Sequence, residues 1–169
     1  MKGFNVIRKK YFSTVVVETN NQEGEVALFN YSGTTNGYTR RDTNWPSTNN
    51  QIPDYVNMKV TDVGFSILGF NNQPIKAATL IALLRSIVTI KNGEREVKSG
   101  PLSEFFKIPG MCSDTLISDY KTGPSFVAIQ AEDFPANSTI DFKLDLPGSI
   151  GEKVRIVAFL DTIASIAQS

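Results

Sequence analysis

Polar and apolar residues alternate strictly near the carboxyl end of the chain, a pattern typical of a β-strand with one buried face. The apolar positions are Ile140, Phe142, Leu144 and Leu146. Pro147-Gly148 interrupts the pattern, and a second alternating run covers 154–160, where Val157 and Phe159 add apolar side chains on the opposite face. The two runs predict a β-hairpin between residues 139 and 160, whose second strand is covered on both faces.

Two further hairpins are predicted along the chain. Tyr11–Thr19 and Glu25–Asn30 read as strands on either side of a polar turn, and we expect them to pair. Asn92-Gly93 lies between two short strand-like runs. This dipeptide favours a type I′ turn, which would place Lys91 opposite Glu94.

A bulge and a short helix are also predicted. The apolar positions of residues 56–67 change parity at Thr61-Asp62, as they do where a β-bulge inserts one extra residue. Residues 76–84 carry apolar side chains at helical spacing, which predicts a short helix packed on a sheet. Its apolar residues are Ala77, Leu80, Ile81, Leu83 and Leu84. A helical turn at 102–106 and a short strand at 125–130 follow.

These elements together predict an all-β protein with one short helix. About eight short strands separated by turn signals are typical of a β-sandwich or a closed barrel. Several of the strands are apolar on both faces, which favours two packed sheets. We predict a single domain over residues 1–169, because no linker or internal repeat divides the sequence.

The composition excludes several classes of enzyme. The chain has no histidine, one cysteine (Cys112), and 17 basic against 17 acidic side chains. Histidine is the usual base at neutral pH and a member of the common triads, and a lone cysteine forms neither an internal disulfide nor a metal cluster. No glycine-rich phosphate-binding motif occurs. We therefore predict a protein that is not an enzyme and has no cofactor, and whose neutral net charge favours self-association.

Acidic residues leave two alternatives open. Asp141 with Asp145 are two carboxylates on one strand face, the arrangement that glycoside hydrolysis needs; so are Glu94 with Glu96. Neighbouring Lys and Arg residues favour an ordinary solvated strand face instead. Four aspartates near asparagines suggest a calcium-binding loop, although their spacing matches no calcium motif. They are Asp54, Asp62, Asp114 and Asp119.

The polar stretch 31–55 is far longer than an ordinary connection between strands and contains the single tryptophan. Its aromatic and basic residues are Tyr38, Arg40, Arg41 and Trp45. Because Tyr, Trp and Arg anchor protein interfaces, we predict that these four residues form a subunit interface. The same residue types also form platforms for sugars or single-stranded nucleic acid, and this alternative stays open.

Basic residues are concentrated near the amino terminus. They are Lys2, Arg8, Lys9 and Lys10. We predict an arm that contacts phospholipid head groups or packaged nucleic acid, since both present negative charge. A solvated strand edge is the alternative.

A longer pattern, over roughly residues 56–165, resembles a known family. The segments that carry the likeness, after a short apolar helix, are Ile87–Gly93, Ser99–Leu102 with Phe105, Phe134–Leu146 and Val154–Asp161. Their order is similar to that in the single vertical jelly-roll major capsid proteins of tailless icosahedral bacterial and archaeal viruses with an internal membrane. The family includes bacteriophage shell proteins.

The resemblance implies an eight-stranded jelly-roll β-sandwich that assembles with itself and with other capsid proteins. It implies capsomers that form a virion shell over a lipid membrane, after assembly in the host cytoplasm. It implies no catalytic residue, cofactor, small-molecule substrate or sequence-specific nucleic-acid contact. Two other functions stay open: a carbohydrate- or receptor-binding domain of the fibre or spike type that uses Tyr31, Tyr38 and Trp45, and a glycan-cleaving enzyme on a jelly-roll scaffold.

Overall fold

The computed structural model describes residues 4–20, 24–34, 37–71, 73–105 and 125–167. These residues contain eight strands, one α-helix and one short 3₁₀ helix. The strands are β1 (Phe4–Val17), β2 (Gly24–Leu28), β3 (Val56–Gly69), β4 (Ile87–Asn92), β5 (Arg95–Pro101), β6 (Ser125–Phe134), β7 (Ile140–Leu146) and β8 (Val154–Ala167). Helix α1 spans Ala77–Leu84 between β3 and β4, and the 3₁₀ helix Leu102–Phe105 follows β5.

The strands form two four-stranded sheets in which neighbouring strands are antiparallel. Sheet A has the order β1-β8-β3-β6, and sheet B has the order β2-β7-β4-β5. The pairs are nested along the chain: β1 with β8, β2 with β7, β3 with β6, and β4 with β5. One apolar core contains buried side chains from both sheets. The prediction of an all-β sandwich with one short helix is confirmed.

Two of the predicted hairpins are wrong, although their strands exist. β7 lies in sheet B between β2 and β4, whereas β8 lies in sheet A between β1 and β3. Likewise β1 pairs with β8, and β2 pairs with β7. Each connection therefore carries the chain from one sheet to the other. Alternation identifies the buried face of a strand and not its hydrogen-bonded partner, so strands from opposite sheets share one core here.

The β4–β5 hairpin is confirmed with a different turn and register. Asn92 pairs with Arg95, so the loop is Gly93-Glu94, and Gly93 has a φ of 59°. A glycine with positive φ at the first loop position is characteristic of a type II′ turn rather than type I′. Asn92 stays in the strand because its side-chain amide donates to the Glu132 carboxylate, 2.8 Å away. The register also shifts after Ile90, so that Lys91 faces Glu96 and not Glu94.

The bulge in β3 is confirmed. The register of β3 with both β6 and β8 shifts between Val60 and Asp62. Apolar residues before and after the shift therefore all face the core. On the opposite face, Asp62 and Gly64 point away from the core.

Helix α1 is confirmed, with one exception to its predicted buried face. Leu80, Leu83 and Leu84 are buried as expected, and the Thr79 hydroxyl donates to the Ile150 carbonyl at 3.1 Å. Ile81 is mostly exposed instead. The buried face of this eight-residue helix is narrow, because one sandwich edge covers only one stripe of it.

Aromatic rings connect the two sheets through the core. The series is Tyr11, Trp45, Phe29, Phe142, Phe65 and Phe105, with consecutive ring centroids 5.2 to 5.9 Å apart. The contacts are edge-on or tilted, the geometries that ring quadrupoles favour. The series runs from β1 in sheet A to β7 in sheet B and returns to β3. It fixes how the sheets face each other.

Candidate functional site

Trp45 is buried in the core of its own chain. The residue is 2% exposed, and its ring packs edge-on against Tyr11 and Phe29 with centroid distances of 5.5 Å. Its indole Nε1 donates to the Asn49 carbonyl at 2.8 Å. Its place in the predicted subunit interface, and in a sugar platform, is therefore wrong: the indole has no free face for a partner.

The other three predicted interface residues, Tyr38, Arg40 and Arg41, are exposed. Tyr38 is 41% exposed and stacks on the buried Tyr31, with ring centroids 3.7 Å apart. The Tyr31 hydroxyl donates to the Thr14 carbonyl, and burial raises the pKa of this hydroxyl. One face of Tyr38 is thus occupied within the chain, and its role at an interface stays a prediction.

The long loop is fastened to the edge of sheet A. The Asn44 side chain accepts from the Phe12 amide at 2.7 Å and donates to the Lys10 carbonyl at 2.8 Å. The Thr43 hydroxyl donates to the Phe12 carbonyl at 2.9 Å. These bonds satisfy the backbone groups that β1, an edge strand, would otherwise present to a second strand. The middle of β1 is therefore closed to strand addition.

The predicted amino-terminal arm is part of a strand over Arg8, Lys9 and Lys10. These residues pair with Ile163, Thr162 and Asp161 of β8, while Lys2 lies outside the described residues. Arg8 and Lys10 project from the outer face of sheet A, and Lys9 projects from the other face. The prediction of a separate arm is wrong for these three residues, because β-pairing fixes them. Contact with lipid or nucleic acid stays a prediction.

Two of these basic side chains already have partners within the chain. Arg8 lies 3.2 Å from the Asp161 carboxylate, although its side chain is 71% exposed. The Lys10 ammonium lies 4.7 Å from the centre of the Phe126 ring, a cation–π contact. Lys10 thus extends across the outer face of sheet A and not out into solvent.

The outer face of sheet A, the face turned away from the core, carries a row of aromatic side chains. Phe12, Phe159, Gly64 and Phe126 occupy one level across the four strands. Phe159 contacts Phe12 and Phe126, with centroids 6.5 and 6.0 Å apart. Gly64 has no side chain, so the rings of neighbouring strands meet above it. The sequence signal was the apolar pair Val157 and Phe159, but it did not reveal this row.

Aliphatic residues extend this face. Val6 is 67% exposed, and Val16 and Ile163 are each 41% exposed. Single exposed apolar residues are ordinary, whereas several on one sheet face around an aromatic row mark an interaction surface. The outer face of sheet A is therefore the strongest candidate functional site among the described residues.

The outer face of sheet B is polar by comparison. Lys143 lies 3.2 Å from Glu25 and 3.7 Å from Asp141. The hydrogen bond with Glu25 is the main cause that raises the pKa of Lys143. Thr89 and Ser99 face each other across β4 and β5. The sandwich thus has one wet face and one largely apolar face.

A cleft of 350 Å³ lies at one end of the outer face of sheet A. Side chains from β3, β6 and β8 line it, among them Asn57, Lys59, Asp133, Ile163 and Ser165. Lys59 and Asp133 are 3.7 Å apart, and the Asp133 side chain is 76% exposed. This exposed pair is weak, so its carboxylate is free to take a second cationic partner.

The acidic alternatives find little support in the structure. No group of three or more potential metal ligands occurs within the described part of the chain. Asp54 precedes β3 and Asp62 lies at its bulge, while Asp114, Asp119 and Cys112 fall outside the described residues. Of the two carboxylate pairs, Asp141 contacts Lys143, and Glu96 faces Lys91. Among the described helices, none is long and apolar enough to cross a membrane.

No model of a known protein family matches this chain, and a search of the curated proteins finds no match either.

Proposed function

We propose that the chain is a structural subunit of a viral capsid: a jelly roll that assembles with itself into capsomers and an icosahedral shell over an internal membrane. The nested strand pairing is the observation that carries this proposal. An eight-stranded chain that pairs first with last and inward to β4 with β5, divided between two sheets, has the organisation of a jelly roll.

The division into one polar and one apolar outer face favours a shell subunit over other jelly rolls. Jelly rolls occur both in capsid proteins and in lectins. A sugar-binding domain needs one polar cleft, whereas a shell subunit must bury large surfaces against its neighbours. The apolar row around Phe159 and the neutral net charge both favour association of copies.

The membrane contact is assigned to the end of the sandwich where β1 begins. Lys2 precedes this strand, and Lys9 lies in it on the face opposite Arg8 and Lys10. Each basic residue near an anionic membrane surface contributes about 1 kcal/mol. A cluster at one end of the subunit would hold that end towards the lipid.

Size-exclusion chromatography with light scattering tests the proposal on the purified chain. We expect a concentration-dependent species with the mass of several subunits. A monomer at every concentration, retained on a glycan column, would reject the capsid function.

A second candidate function is glycan binding, favoured by the Tyr31–Tyr38 stack beside Arg40 and Arg41. The exposed face of Tyr38 is the surface that a sugar ring would stack on. A glycan array compares wild type with Tyr38→Ala. Binding that Tyr38→Ala abolishes supports this function, and an empty array rejects it.

A further inference from the structure

We propose that two copies of the chain pack outer face to outer face through sheet A, related by a twofold axis that runs along the strands between them. This inference rests on the proposed self-assembly and names the surface that performs it. The axis sets β1 of one copy over β6 of the other, and β8 over β3. The strand edges are not used, because Asn44 and Thr43 occupy the middle of the β1 edge.

The size of the face suits a stable dimer. Three of its strands have 14 residues. With strands about 4.8 Å apart and a rise of about 3.3 Å per residue, the face covers roughly 900 Å² before side-chain relief is counted. A stable protein interface buries about 800 Å² on each partner. One sheet face is thus enough.

The shapes of the two faces complement each other under this axis. Phe12, Phe159, Gly64 and Phe126 share one level from β1 to β6. Reversing the order of the strands brings Phe159 of one copy over Gly64 of the other. Phe12 then lies over Phe126. A ring therefore meets the position without a side chain twice, once on each side of the axis, as an isologous interface requires.

The charges complement each other at the cleft. Arg8, Ile163, Lys59 and Asp133 share a second level across the sheet. The axis brings Arg8 of one copy over Asp133 of the other, where the cleft of 350 Å³ opens. Both side chains are more than two-thirds exposed, at 71% and 76%. Within one chain these residues lie three strands apart, about 14 Å, so an ion pair between them forms only between copies.

A charge exchange between two variants tests this contact. Arg8→Asp and Asp133→Arg each place like charges at both contacts of their own homodimer. We expect each variant alone to dissociate at least about tenfold more readily than wild type. An equimolar mixture restores both ion pairs in a heterodimer, and association should return. Lys143→Glu, on the outer face of sheet B, is the matched control and should associate like wild type.

Cysteine cross-linking keeps the test decisive if either charge variant folds poorly. Arg8→Cys and Asp133→Cys chains, both carrying Cys112→Ser, are mixed under oxidation, and a disulfide-linked heterodimer is expected. Rescue in the mixture together with the cross-link supports the inference. Unchanged association of both charge variants, or no cross-link, overturns it.

The failure of this inference is distinguishable from failure of the capsid function. Capsomers of wild-type mass that form equally well from both charge variants would overturn the dimer and leave the capsid function standing. Dimers that follow the charge exchange but never grow into larger assemblies would support the dimer and reject the shell.

Discussion

Replacing Trp45 by Ala should destabilise the fold strongly, because the indole fills the centre of the core. The ring is 2% exposed and touches Tyr11 and Phe29 edge-on. Truncating a buried Trp to Ala typically costs 3 to 5 kcal/mol, which includes the cavity it leaves. The two ring contacts place this site in the upper part of that range, and we expect about 4 kcal/mol.

That loss is a large share of the 5 to 15 kcal/mol that stabilises a typical domain. For a chain of this size, each kcal/mol lowers the melting temperature by about 2 to 4 °C, so a drop of roughly 8 to 16 °C is expected. Urea unfolding followed by far-ultraviolet circular dichroism measures the free energy of unfolding directly. Trp45→Phe keeps one aromatic ring and should lose roughly half as much.

Tyr38→Ala, at an exposed ring of the same loop, is the matched control and should change the free energy of unfolding by about 1 kcal/mol or less. In the wild-type chain, the emission of Trp45 should be shifted to short wavelength as for a buried indole. A Trp45→Ala variant that unfolds within about 1 kcal/mol of wild type but fails to associate would refute the burial and return Trp45 to the interface.

Three further predictions concern the turn, the tyrosines and the membrane contact. Gly93→Val should lower the free energy of unfolding by at least about 1 kcal/mol, because a β-branched residue resists the positive φ of the loop; an unchanged melting temperature would contradict the type II′ turn. Burial raises the pKa of Tyr11 from 10.0 to about 12, so the stability it provides is complete below pH 10 and lost as the pH rises towards 12. Wild type should therefore lose on the order of 2 kcal/mol more than Tyr11→Phe across this interval in urea unfolding, and parallel curves would disprove the shift. Replacing Lys2 and Lys9 by Gln should weaken binding to anionic vesicles at low salt by about 1 kcal/mol each, with Lys143→Gln as control; equal vesicle binding would reject the membrane-facing end.

The sequence was a good guide to the strands and a poor guide to their partners. Alternation located the buried faces of β7 and the first half of β8, and the change of parity at Thr61-Asp62 located the bulge. Pairing depends on the whole core, which no local window contains. The two-residue loop between β4 and β5 was recognised because its geometry is local. Its register shifted because Asn92 is held by Glu132 of sheet A.

The candidate site was harder to predict than the fold. Trp45 was assigned to an interface because Trp is common there, yet the same ring is equally suited to a core. The basic residues Arg8 and Lys10 were located, but their role depends on Asp161 and Phe126, which are far away in the sequence. The aromatic row became visible only when the register aligned Phe12, Phe159 and Phe126.

Electron microscopy of the concentrated wild-type chain tests most directly whether this protein builds a shell. If the chain is a capsid subunit, closed particles of uniform diameter with icosahedral symmetry should appear, alone or around lipid vesicles, and averaging should resolve repeated two-sheet sandwiches in the wall. Dispersed monomers or dimers at every concentration, with and without lipid, would contradict the capsid function.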